Sequence, residues 1–211
     1  MGTLAIVACA VAGALAAVPL RGLVTRYARD VNPEISSLRP GPIEVATGLL
    51  VAACAWRFGI SFETLAYSAL ATITVPLAAL DFMVQRLPNS LVGATYVALA
   101  LPLAVEALIS PRLDNLARAL LSMLIALGVH GILYAVGGIA GGDLKLAGSL
   151  GLALGWLSWP AVWTGFALGW ILGGLAVVVL RFTQPGWSNR HIPLGPFLIS
   201  GSFATVLVLA P

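Results

Sequence analysis

This sequence is a string of apolar runs, each close to one bilayer thickness in helical length, and that leaves it one kind of fold. The runs fall at 3–20, 42–58, 64–80, 91–109, 116–136, 146–159, 161–180 and 196–210. A helix needs roughly 20 such residues to cross the hydrocarbon core. In hydrocarbon every unsatisfied backbone group costs several kcal/mol, and a helix satisfies its own. The expected fold is therefore all-α: a polytopic membrane helical bundle of about eight transmembrane helices. Charged residues make up 9% of the 211-residue chain and hydrophobic ones 60%. A soluble domain carries roughly a quarter charged residues, so a soluble fold is excluded. The sixth run is the weakest, because Gly148, Gly151 and Gly155 interrupt it and lower its helix propensity. The spacings Gly151/Gly155 and Gly165/Gly169/Gly173 instead fit close contacts between helices through small residues.

Orientation follows from the basic residues. With the N-terminus outside, one set of loops holds Arg21, Arg26, Arg29, Arg39, Arg86, Lys145, Arg181 and Arg190, and the other holds Arg57, Arg112 and Arg118. Cytoplasmic loops carry the excess of Lys and Arg, so the first set is expected in the cytoplasm. Trp56, Trp159 and Trp163 then fall near the outer boundary, where an aromatic belt belongs. The net charge of +3 and pI of about 9.2 come from these loops. They mark the lipid bilayer as partner and give no signal for nucleic acid. A cleaved signal peptide is disfavoured, since Arg21, Arg26 and Arg29 follow the first apolar run and no Lys or Arg precedes it. The polar connector at 21–41, with Asp30, Asn32, Pro33, Ser36, Ser37 and Pro40, reads as a cytoplasmic loop too short for a folded domain. One membrane-embedded domain is expected over 1–211, with the first span and this loop in 1–41 and the core in 42–211.

Against this background two carboxylates stand out. Asp81 follows one apolar run in Asp81-Phe82-Met83-Val84-Gln85-Arg86-Leu87-Pro88-Asn89, and Asp143 follows another in Gly141-Gly142-Asp143-Leu144-Lys145. An ionisable group there costs several kcal/mol unless it is paired or wet, so it points to function. The topology assigns both to the cytoplasmic face. Leu87-Pro88-Asn89 is a helix-restart signal: proline suits the first turn of a helix, and the residue before it leaves the helical region. The glycine-dense segment 137–142 is not expected to stay regularly helical, and it would let another chain approach Asp143.

Two adjacent carboxyl groups cannot easily both ionise, so they share a proton. One then activates water as a base and the other protonates the leaving amine. Such a pair titrates as a unit. No metal-binding cluster is present, and neither a metal nor a cofactor is expected. The alternative is that the two aspartates only cap helices or contact interfacial water. The two cysteines, Cys9 and Cys54, lie inside apolar runs without Cys or His partners and read as packing residues.

The spacing of Asp81, six residues and then Pro88-Asn89, together with Gly142-Asp143-Leu144-Lys145, resembles the type IV prepilin peptidases, membrane aspartic proteases of the GxGD type. Pro42-Ile43-Glu44 leading into Gly48-Leu49-Leu50, Trp56-Arg57-Phe58-Gly59 and Ile192-Pro193-Leu194-Gly195-Pro196-Phe197 extend the similarity from residue 42 to the C-terminus. The resemblance implies that Asp81 and Asp143 are catalytic, supported by Gly141, Gly142, Lys145, Pro88 and Asn89. It implies an aspartic endopeptidase that removes short basic leaders from prepilin-like membrane proteins. The work would be done at the cytoplasmic face of the inner or plasma membrane, for pilus or type II secretion pseudopilus assembly.

Two departures from the pattern matter. Ala140 replaces the first glycine of GxGD, with Gly141 beside it. Many members also carry a cytoplasmic insertion with paired Cys-x-x-Cys motifs, which accompanies N-methylation by S-adenosylmethionine. The 21–41 connector has no cysteine, so methylation is in doubt.

Other readings compete. A transporter or assembly subunit would use the acids for ion or proton binding. A presenilin-like protease also uses two aspartates, but its Pro-Ala-Leu element is absent. Ser149 with His130 would suit a rhomboid-like serine protease, yet the surrounding motif is poor. His130 reads better as a hydrogen-bonded packing residue and Glu106 as an interfacial one. Glu44 either orients the first loop or simply favours a helix N-terminus. Lys145 is either an electrostatic partner of Asp143 or an interfacial anchor.

Overall fold

Apolar residues without the alternation of strands wind into helices here throughout. The computed structural model describes residues 2–34, 38–183 and 193–209. Ser36, Ser37, Arg190, Ile192 and the end of the last expected span at Ala210 lie outside the described residues. Among those described the chain is all-α, with α1 (Thr3–Val31), α2 (Pro42–Phe58), α3 (Phe62–Val84), α4 (Asn89–Ile109), α5 (Leu113–Ala135), α6 (Gly141–Leu157), α7 (Trp159–Thr183) and α8 (Gly195–Val208). Five of them, α1, α3, α4, α5 and α7, are long and apolar enough to cross a membrane. With α2 and α6 at 17 residues and α8 at 14, this is the architecture of a multi-pass membrane protein. The chain divides into two compact units, Met1–Ala117 and Arg118–Pro211.

In the first unit α1 packs on α2 and α3, and α3 packs on α4. The α1–α2 contact is close because Gly13 lies under Val51 and Gly48 under the backbone of Ala10. The connector expected over 21–41 is shorter than its polarity suggests. Helix α1 continues through Pro19 to Val31 and buries Val24, Thr25 and Ala28. Arg, Leu, Tyr and Ala hold a helix readily, and a proline is tolerated where neighbouring groups satisfy the freed carbonyl. What remains of the connector is held by two side chains. Arg21 pairs through Nε with Glu44 Oε1, and its Nη1 donates to the Leu38 carbonyl (3.3 Å). Glu44 Oε2 accepts the Gly41 amide (2.8 Å). Glu44 therefore both orients the loop and caps α2, one role not excluding the other.

In the second unit the glycine-interrupted sixth run forms a helix, and it is the most enclosed one. Every residue of α6 from Leu146 to Leu157 is buried. The glycines are what allow this: Gly151 lies against Ala126 and Ser122 of α5, and Gly155 against Ser122 and Ala119. The last carbonyls of a helix lack intrahelical donors. Arg118 supplies them for α6, giving Nε to Gly155 O (2.7 Å) and Nη2 to Trp156 O (2.8 Å) and Leu157 O (3.0 Å).

Along α7, Gly165 receives Leu154 of α6, while Gly169 and Gly173 receive Leu198, Phe197 and Leu194 at the start of α8. Gly201 of α8 crosses α7 backbone to backbone: a Cβ there would meet the Gly169 amide and stand 2.7 Å from the Gly165 carbonyl oxygen. Backbone cannot rotate away as a side chain can. Gly201→Ala is therefore expected to destabilise the protein by about 1–3 kcal/mol. Gly174→Ala, on the same crossing helix but with nothing within 4 Å, should be neutral. Thermal unfolding in detergent checks the contrast, and equal melting temperatures would refute it.

Candidate active site

Asp81 sits in the last turn of α3, which buries Leu77 and Leu80 just before it. The side chain is 4% exposed. The helix does not stop at the aspartate but runs on to Val84 and ends on Gln85, whose left-handed φ of 53° turns the chain. The Gln85 amide closes the turn on the Asp81 carbonyl (3.0 Å). Pro88 then precedes α4 with φ −62° and ψ 127°, and Asn89 is the first helical residue. The restart signal thus performs as its chemistry dictates. Beside Asp81, Leu80 packs with Val24 and Ala28 of α1, covered by Tyr27, Leu38 and Met83. The helical extension of α1 is what supplies that cover.

Asp143 belongs to the second unit and has the opposite helical setting. It lies in the first turn of α6, ahead of the apolar run from Leu146, and is 5% exposed. Helix α5 ends at Ala135, and Gly137 leaves the helical region at φ 76°. The Gly138 amide closes the end on the Leu133 carbonyl (2.8 Å). The glycine segment is therefore non-helical only in its first part; Gly141 and Gly142 open α6, with Gly141 near the ring of Tyr134.

The backbone amides of Ala140 and Gly195 lie close enough to act electrostatically on the Asp143 carboxylate. Its Oδ1 is buried with no hydrogen-bond partner among the described residues. First-turn amides carry the positive end of the helix dipole, so two helix starts, those of α6 and α8, meet at this one carboxylate. Lys145, one turn-step further on, is exposed.

The remaining polar residues take their bland roles. His130 is 2% exposed, with Nδ1 2.9 Å from the Ala126 carbonyl and its ring against Phe166 and Trp170. Ser149 Oγ donates to the Leu146 carbonyl of its own helix (2.9 Å). His130 Nε2 has no hydrogen-bond partner among the described residues, so the two do not form a serine–histidine pair. Glu106 accepts from Ser110 (3.0 Å) near the end of α4. Cys9 and Cys54 are free thiols. Among the described residues no group of His, Cys, Asp and Glu could hold a metal ion.

One contributor escapes inspection of the sequence as chemistry. Gly195 lies inside a motif read only for its similarity, and its backbone amide is close enough to act on Asp143.

Comparison with known proteins follows the same residues. The sequence profile of the type IV leader peptidase family matches residues 68–208, a stretch that includes Asp81, Asp143 and Gly195. A prepilin leader peptidase/N-methyltransferase of Burkholderia pseudomallei (strain 1026b) is 30% identical over 174 residues, covering 80% of this chain and 54% of the relative. Proteins of the same description from Stutzerimonas stutzeri and Bacillus subtilis (strain 168) are each 29% identical, covering 78% and 85% of this chain and 57% and 69% of theirs. The chain spans about half the length of the first of these relatives. No solved structure matches it. With the family profile running from the middle of α3 to the end of α8, across both buried aspartates, the chain belongs to the type IV leader peptidase family.

Proposed function

We propose that this chain is a prepilin leader peptidase that hydrolyses the bond between a short basic leader and the apolar helix of prepilin-like substrates. Asp81 and Asp143 supply the two carboxyl groups. One draws a proton from the attacking water while the other protonates the departing amine. No metal enters these steps. The observation that carries the reading is Asp143: a buried acid in the family-matched segment, at the start of α6, with Oδ1 lacking a hydrogen-bond partner among the described residues. Gly141 and Gly142 give a substrate backbone room to approach it, and Lys145 adds a cation at the same turn. Pro88 and Asn89 fix the turn that follows Asp81. Pilus or pseudopilus assembly is the process that would use the product.

Co-expression with candidate prepilins tests the proposal. Loss of the leader, seen as a mass decrease at the leader boundary, is the expected result. An unprocessed substrate in the presence of accumulated protein would sink it, and would favour an ion- or proton-binding role for the acids.

The reading also places the reaction at the cytoplasmic face of the inner membrane, on the strength of the basic-residue bias. Single cysteines introduced at Arg86, Gly142 and Arg190, in a background without Cys9 and Cys54, should label from the cytoplasm. Those at Arg112 and Trp159 should label from outside. Labelling at Arg86 from the outer face alone would invert the topology.

A further inference from the structure

Asp81 is carried by a part of the first unit that two prolines set off from the rest. Pro19 lies inside α1 and Pro76 inside α3. A proline within a helix lacks the amide that would bond four residues back, here to the carbonyls of Leu15 and Thr72. Kinks in helices concentrate at such points. In α3 the weak stretch is longer. Thr72 Oγ1 donates to the Ser68 carbonyl (2.8 Å) and Thr74 Oγ1 to that of Leu70 (2.7 Å), a back-bonding that itself bends helices.

Beyond the two prolines the helices hold to each other. Val24 and Ala28 of α1 cluster with Leu80 of α3, all three fully buried, with Tyr27, Met83 and Leu91 against them. Segments 20–31 and 77–84 thus form one packed body, and Asp81 rides on it beside Leu80. A polar latch ties this body to α2. Arg21, two residues past Pro19, gives Nε to Glu44 at the start of α2 and Nη1 to the Leu38 carbonyl (3.3 Å). Leu38 itself packs on the body's cluster, and Glu44 Oε2 holds the Gly41 amide (2.8 Å). One arginine therefore joins the base of the body both to α2 and to the connector that lies on it.

Resting on the reading of Asp81 as catalytic, we propose that Arg21 is a positioning residue for it: with Glu44, Arg21 latches the proline-hinged ends of α1 and α3 to α2 and so fixes where the Asp81 carboxyl stands. A catalytic group misplaced by about 1 Å can cost on the order of 10²-fold in rate. A body on two hinges needs a fastening that an unbroken helix does not.

The latch can be broken from either side. Arg21→Gln removes the cation and its fork. Glu44→Gln removes the charge but keeps an oxygen for the Gly41 amide, so the start of α2 survives. Each is expected to lower kcat for prepilin cleavage by about 10–10²-fold, with KM changed by less than about threefold. The same substitutions in a Pro19→Ala/Pro76→Ala background, where both helices run unbroken, should lower kcat by less than about threefold relative to that background, because coupled sites are not additive. A latch that only stabilised the fold would cost the same in both backgrounds. Equal losses therefore overturn the inference.

A second measurement needs no activity. Spin labels on cysteines at Leu49 of α2 and Arg29 near the end of α1, both exposed, in the background without Cys9 and Cys54, report the distance between α2 and the hinged body by double electron–electron resonance. The distance distribution should broaden in Arg21→Gln and in Glu44→Gln, and narrow again once the two prolines are replaced. An unchanged width in both latch variants overturns the inference as well. If the wild type fails to cleave prepilin while the widths behave as expected, the peptidase reading fails and the latch stands.

Discussion

Asp81→Asn and Asp143→Asn are each expected to cut prepilin cleavage by at least about 10²–10⁴-fold, the contribution of a positioned acid or base, while the protein still inserts and accumulates. The carboxamide keeps the volume of the side chain, so neither buried site is left with a cavity. What it removes is the capacity to hold and release a proton. Asp143→Asn keeps a carbonyl oxygen able to accept a first-turn amide, which should preserve the start of α6. Asp81→Asn leaves the Gln85 turn intact, because that turn is closed by the backbone carbonyl of residue 81. Stability and catalysis are thereby separated in both variants. Purified Asn variants assayed beside the wild type on one prepilin decide the matter, and near-wild-type turnover by either would remove that aspartate from the mechanism. The double variant should be little worse than each single one, because groups that act as a unit lose their function together.

The helical class was legible from the apolar runs alone, since hydrocarbon admits few alternatives. All eight runs were legible also in their core extent, but the ends were not. The first run was expected to stop at Leu20, where polarity rises, yet α1 continues to Val31. Polarity reports where the bilayer ends, whereas a helix ends where caps and φ/ψ dictate. At Asp81 the same distinction holds: the apolar run stops at Leu80, and the helix stops at Gln85 because that residue takes the left-handed conformation. The weakest run by propensity, α6, is the most enclosed helix. Its glycines cost helix propensity but let α5 approach, and packing outweighs propensity once a helix is surrounded.

For the site, the acids themselves could be picked out because carboxylates are rare in such a chain. The nearness of the Gly195 amide could not, because a backbone amide has no signature in the sequence and α8 lies far from Asp143 along the chain. The Arg21–Glu44 pair is a similar case. Both residues were noted, one as a topological charge and the other as a cap, and only the fold of α1 onto α2 shows that they serve each other.

That pair bears on the last expected result: the substrate's new N-terminus should leave this protein unmethylated. The relatives' names couple the peptidase to an N-methyltransferase, and a methyltransferase must hold a polar cofactor beside a free amine in a formed pocket with convergent polar groups. The internal connector between α1 and α2 is where the family's cysteine-bearing insertion would stand. With α1 helical to Val31 and α2 starting at Pro42, only 32–41 remains. The two cysteines of the chain lie in α1 and α2 themselves, so no zinc can organise that stretch. Two of the polar groups beside it are already spent on one another: Arg21 on Glu44 and the Leu38 carbonyl, Glu44 on Arg21 and the Gly41 amide. Recruiting either to a cofactor would break a partly buried, charge-assisted contact, at a cost of about 1.5–3 kcal/mol per hydrogen bond. Intact-mass analysis of processed prepilin after incubation with isotopically labelled S-adenosylmethionine should show the leader gone and no added methyl group. A labelled methyl on the new N-terminus that requires only this protein would mean that the short connector suffices, and Arg21→Ala and Glu44→Ala would then be the variants that show where the cofactor sits.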